Sequence, residues 1–178
     1  LKTMLGLRQS KQAELLADKA LAQYPNDAEL LRLAGLNQLN LAQDSSFLSA
    51  GSYAKAGLAF LRQAVAADPA NLAAQQTLIG FYLQAPAIAG GDTEEAEKLA
   101  KALAAKHQPE GTLATVDVLL EDDQLSQALK LLEQQLQQQP DHATLLGTYA
   151  NLLSLNKDHA TAFTQYQKAA AAATDLSE

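Results

Sequence analysis

GLAFLRQAVAADP (residues 57–69) decides the fold, because AELLADKALAQYP (13–25) and ALKLLEQQLQQQP (128–140) follow the same plan. Each opens on a small residue and closes on a proline twelve positions later: Ala13 and Pro25, Gly57 and Pro69, Ala128 and Pro140. Ala96 precedes Pro109 by thirteen. Four residues after each small residue come Ala17, Leu61, Ala100 and Leu132, and seven after come Ala20, Ala64, Leu103 and Gln135. A fifth copy, Ala162, Tyr166 and Ala169, lacks its proline. Positions i, i+4 and i+7 share one face of a helix. The small residue admits a close neighbour, and the proline stops the helix. Such internal repetition predicts an all-α solenoid.

Composition agrees. The 178 residues are 48% hydrophobic and 19% charged, enough apolar material for a core and too little charge for disorder. Alanine, leucine and glutamine are strong helix formers. A net charge of −7, with thirteen Lys and Arg scattered singly, offers no basic face to phosphates, so nucleic acid is not expected as a partner and an anionic membrane surface is disfavoured. No apolar run is long enough to insert in a bilayer. Without cysteine there are no disulfides, thiolate metal sites or thiol chemistry. That absence and the start at Leu1 favour an exported chain, in a bacterial periplasm or envelope, over a cytoplasmic one.

Residues 1–8 read as the end of a helix, followed by a second over about Lys11 to Tyr24. Asn26, with Glu29 three residues on, reads as a capping box for the next. Pro25 and Pro69 stand 44 residues apart, so residues 43–52 hold an excess of about ten, as loop or as helix extension. Ala85-Pro86 ends a helix, Ala87 to Gly91 turns, and Asp92 caps the following helix with Glu95 three on. Thr112 to Leu120 is a short helix, and Asp122-Asp123 is placed to open the next.

These columns resemble the tetratricopeptide repeat: Ala13/Gly57/Ala96/Ala128/Ala162, Ala20/Ala64/Ala169, the four prolines, and Leu31-Ala34-Gly35, Leu78-Ile79-Tyr82, and Leu146, Tyr149 and Ala150 in the first helices. The family's usual Trp is missing. The connection from Ala85 to Asp92, of the form APxxxGG, resembles a variant turn of some bacterial members. The resemblance implies a right-handed superhelix of antiparallel helix pairs: a partial unit over 1–25, then repeats at 26–69, 70–109, 110–140 and 141–174.

It also implies a concave face lined by Glu29, Arg32, Leu36 and Asn40, by Gln76, Thr77 and Gly80, by Asp117, and by Thr148 and Asn151. Amides, hydroxyls and few charges suit an extended peptide or a partner helix. The carboxylate clamp of chaperone-tail binders is absent, since its positions hold Arg32, Leu36, Thr77, Thr144 and Thr148.

Enzymatic patterns are wanting. His107, His142 and His159 stand in separate turns, the last two about a helix length apart and unable to share a metal. Gly90-Gly91 lacks the strand and the Lys-Ser/Thr of a phosphate loop. No serine belongs to a recognisable triad motif, and no cofactor motif is present. The expected function is a non-enzymatic protein-interaction scaffold binding a peptide or partner protein along its concave face or ends. The alternative is a self-assembly module of a larger bacterial envelope or cytoplasmic complex. A homodimer through the alanine-rich last helix with Tyr166 is compatible with both, because terminal repeats otherwise need a polar outer face.

Overall fold

The computed structural model describes residues 10–175, apart from the Phe47 and Asp175 side chains. The helix expected over residues 1–8 lies outside the described residues. Among those described there are nine α-helices and no strand. They are α1 Ser10–Gln23, α2 Ala28–Asp44, α3 Phe47–Ala67, α4 Leu72–Gln84, α5 Thr93–Ala104, α6 Glu110–Glu121, α7 Leu125–Gln138, α8 Ala143–Leu155 and α9 His159–Asp175, with a 3-10 turn at Ala87–Ala89. The chain divides into two compact units, one ending at Leu99 and the other starting at Ala100.

In the first unit α2 and α3 form the longest hairpin, and two glycines set its spacing. A Cβ on Gly57 would come within 2.7 Å of Leu39 Cδ2 and 3.1 Å of the Gly35 carbonyl oxygen. One on Gly35 would come within 2.9 Å of Leu61 Cδ2 and 3.1 Å of the Gly57 carbonyl oxygen. The backbones thus meet where neither helix carries a side chain, and Leu61 is buried completely beside them. Leu31, Ala64 and Ala74 form a core with Leu21, Phe60 and Val65, joining α1 to α4. The excess after Pro25 is helical: α2 runs to Asp44 and α3 starts at Phe47, leaving only Ser45 and Ser46 between them.

The second unit is built on Val116, Ala128, Leu132, Leu145 and Leu152, which unite α6, α7 and α8. Across both units the small-residue column is buried as its spacing requires. Ala13, Ala96 and Ala128 are fully buried and Ala162 is 2% exposed.

Two capping expectations are corrected. The N-cap of α2 is Asp27, whose Oδ1 accepts from the Leu30 N–H at 2.8 Å, and not Asn26. Pro25 and Asn26 are both consumed by the preceding turn, which shifts the cap one residue on. Asp122 and Asp123 do not open α7. The Asp122 N–H closes α6 on the Val118 and Leu120 carbonyls, and Asp123 takes the left-handed conformation (φ 57°). With three residues between the helices, both acids go into ending the first. Asn156-Lys157-Asp158 makes a similar turn, with Lys157 left-handed at φ 66°. Its third residue does cap, as Asp158 Oδ1 accepts from the Thr161 N–H at 3.2 Å. Gln124, third in the earlier turn, makes no such bond.

Gln135 is the misfit of the repeated stripe. It is 7% exposed where α5 has Leu103, and its Nε2 has no partner. Thr112 Oγ1 lies 2.5 Å from Gln108 Oε1 and 3.2 Å from Gln135 Oε1, and its one proton can serve only one of them. Exchanging the Gln135 amide atoms lets nitrogen donate to Thr112 but strands the oxygen, so one polar atom stays unpaired either way. Removing it should help. Gln135→Leu is expected to raise stability by about 1 kcal/mol, read as a higher denaturation midpoint with unchanged slope. A lower midpoint would show that the amide is satisfied.

Candidate partner-binding surface

The predicted residues of the first unit form a row. Glu29, Arg32, Leu36 and Asn40 follow one another at three- and four-residue steps on α2, and all are half-buried. Arg32 Nε and Nη2 donate to the two Glu29 carboxylate oxygens at 2.8 and 2.9 Å. The hydrogen bond to Glu29 raises the Arg32 pKa, against a smaller opposing effect of burial. Only 13% of the Arg32 side chain is exposed, so its charge is committed within the row.

α4, which carries the predicted Gln76, Thr77 and Gly80, packs against α2. Gln76 is exposed. Thr77 Oγ1 donates to the Ala73 carbonyl at 2.6 Å, leaving the hydroxyl only as an acceptor outward. A Cβ added at Gly80 meets nothing within 4 Å. No residue of α4 is Asp, Glu, Lys or Arg. The surface is therefore neutral apart from the self-compensating Glu29–Arg32 pair.

In the second unit the structure gives Asp117, Thr148 and Asn151 no hydrogen bond to one another. Asp117 is open to water, yet desolvation pushes its carboxyl above the usual carboxylate range. Water can reach a group that still has low-dielectric protein around it at longer range. Asn151 Oδ1 accepts from the Tyr166 hydroxyl at 2.6 Å, so this amide is tied to α9. Thr148 is half-buried on α8.

Several polar contacts escaped the sequence reading. Asn37, 1% exposed, donates from Nδ2 to the Ser10 carbonyl at 2.9 Å. Gln38 Nε2 donates to Glu14 Oε1 at 2.9 Å, giving a second polar tie between α1 and α2. Arg62 Nε donates to the Tyr82 hydroxyl at 2.8 Å with its guanidinium 5.6 Å from the ring centre. These pairs lie 20 to 27 residues apart in sequence, beyond any local signal.

The histidines serve locally. His142 Nδ1 accepts from the Leu145 N–H at 3.4 Å as the cap of α8, and His159 Nδ1 lies 3.4 Å from Ser154 Oγ. Among the described residues no three His, Asp or Glu side chains are grouped to hold a metal ion. No described helix is long and apolar enough to cross a membrane. An open depression of about 570 Å³ lies where α1 begins beside the α2–α3 turn, lined by Ser10, Gln12, Asp44, Ser49 and Tyr53 among others. None of the predicted residues lines it.

No family model matches the sequence, and no curated protein sequence does. Solved structures do match. A thermophilic TPR protein of Thermus thermophilus superposes with a TM-score of 0.68 over 85% of this chain and 77% of its own, at 23% identity. Human IFIT1, solved as a dimer with PPP-AAAA, is similar over 97% of this chain and 46% of its own, at 14% identity and a TM-score of 0.46. The first likeness agrees with the buried small-residue column and the successive helices described above. By fold, the chain is an all-α helical-repeat protein of the tetratricopeptide type.

Proposed function

We propose that the chain is a non-enzymatic scaffold and that the α2–α4 surface takes an extended peptide of a partner protein. The observation that carries this reading is Gly80. A glycine inside a helix costs about 1 kcal/mol relative to alanine, and here, as at Gly51 and Gly147, no described group lies within 4 Å of an added Cβ to require it. A partner's backbone lying against α4 would. On the proposed surface, Asn40 and Gln76 supply amide donors and acceptors suited to main-chain groups, and Leu36 supplies apolar contact. With Glu29 and Arg32 neutralising each other, a strongly charged peptide gains little here. Protein is the partner class of this proposal because a net charge of −7 gives phosphates little attraction.

A random peptide-display library panned on the full chain tests this directly. Selected peptides are expected to be near-neutral. Their affinity should fall at least tenfold, about 1.4 kcal/mol, for the Asn40→Ala/Gln76→Ala double variant and for Gly80→Leu. Peptides that bind these variants as tightly as the wild-type chain would place the contact elsewhere.

A further inference from the structure

In α1, α3, α5 and α7 the residue four after the small one is buried: Ala17 at 3% exposure, Leu61 at 0%, Ala100 at 1% and Leu132 at 0%. At the same step of α9, Tyr166 is 41% exposed, and Phe163 beside it is 63% exposed. Phe163 has buried or half-buried counterparts in Leu58 and Leu129, each one residue after the small position. In the second unit the cover is visible: Leu145 and Leu152 of α8 pack with Ala128 and Leu132 of α7. α9 thus presents a face that elsewhere in the chain receives a helix, and here only the Tyr166 hydroxyl is engaged, by Asn151 of α8.

That face has a definite chemistry. Ala160, Phe163, Tyr166, Gln167, Ala170 and Thr174 form its outer arc, all exposed and none formally charged. Lys168 points to the other side, lining a depression with Glu133 and Tyr149. From Ala100 onward ten acids face five basic residues, so two copies meeting at random set acid against acid. The α9 arc is a neutral exception, and a neutral arc tolerates its own image. It also combines a large side chain with small ones. An antiparallel pair centred between Tyr166 and Gln167 sets Phe163 of each copy over Ala170 of the other, the alanines allowing close approach.

We propose that α9 pairs with α9 of a second copy of this chain about a two-fold axis. Self-pairing closes the assembly at a dimer. The exposed apolar pair Leu15 and Leu16 of α1 is interspersed with exposed Lys11, Asp18 and Lys19. Docking it on α9 would make a head-to-tail contact that continues into filaments instead of closing. A 17-residue helix is about 25 Å long. One such crossing falls below the roughly 1,200 Å² of a standard interface, so the dimer should dissociate on dilution to about micromolar concentration.

Sedimentation velocity of the full chain over a wide concentration range is the test. The expected result is a monomer–dimer equilibrium, weakened at least tenfold by Phe163→Glu with the melting temperature little changed, because Phe163 is 63% exposed in its own fold. The absence of native cysteine allows a second readout: Gln167→Cys should form a disulfide across the axis under mild oxidation. A monomer at every concentration, as expected if a different protein or further residues of a longer chain cover α9, overturns the proposal. So does a Phe163→Glu variant that dimerises like wild type. Cross-linking of Phe163→Cys with Leu15→Cys, without self-linking of Gln167→Cys, would establish head-to-tail packing in its place.

Discussion

The Gly57→Leu variant is expected to lose about 3 kcal/mol or more of stability. Its first added carbon meets Leu39 Cδ2 at 2.7 Å and the Gly35 carbonyl oxygen at 3.1 Å, and three more carbons must follow. Leu39 can rotate, but the Gly35 carbonyl belongs to a helix, so α2 and α3 must separate. Separation also uncovers Leu61, which is fully buried at this crossing. For a chain of this size each kcal/mol shifts the melting temperature by roughly 2–4 °C, a fall of roughly 6–12 °C. Gly57→Ala should cost less, because only the first carbon intrudes. Contacts in repeat proteins are between neighbours, so hydrogen exchange should accelerate first in α2 and α3. A Gly57→Leu chain that melts with wild type would mean that the α2–α3 crossing is wrongly placed.

The second large effect is a contrast between two identical substitutions. At Gly91 an added Cβ would lie 1.7 Å from the Ala85 carbonyl oxygen and 2.6 Å from its carbon. Neither atom can move without undoing the turn. The Gly91 N–H donates to the Pro86 carbonyl at 3.1 Å and the Asp92 N–H to the Tyr82 carbonyl at 2.9 Å, and both bonds depend on that approach. Gly90 before it is left-handed, at φ 104°. Gly91→Ala is therefore expected to cost on the order of 3 kcal/mol. Gly80→Ala, on α4 with open space around it, should instead gain about 1 kcal/mol from helix propensity. Calorimetry on the pair gives both signs. If both substitutions destabilise, the space beside Gly80 is not free, and the argument for a peptide there loses its support.

The residues behind these effects differ in how far the sequence discloses them. Gly57 stands in the repeated column, so its need for a close neighbour could be read before any coordinates existed. Gly91 could be placed in a turn, with Asp92 as the following cap, and Asp92 Oδ1 does accept from the Glu95 N–H at 3.1 Å. The partners of these residues were not legible. Nothing local pairs Gly57 with Gly35, Asn151 with Tyr166 or Thr112 with Gln135, because each contact joins different helices. The cap of α2 is Asp27, one residue beyond Asn26, and Asp122-Asp123 end α6 where their charge suits the start of α7. In a short connection the polar residues that can end one helix can equally start the next. Geometry between the two helices decides.

Among the described residues, the helices, their approximate ends and the face each turns inward follow from the sequence by itself, because periodicity, propensity and breakers act over one or two turns of chain. Exposure at a given column position is another matter. Leu132 and Tyr166 occupy the same step of the same pattern, yet one is wholly covered and the other lies open. A stripe specifies which side of a helix seeks a neighbour; only the tertiary structure determines whether a neighbour is there.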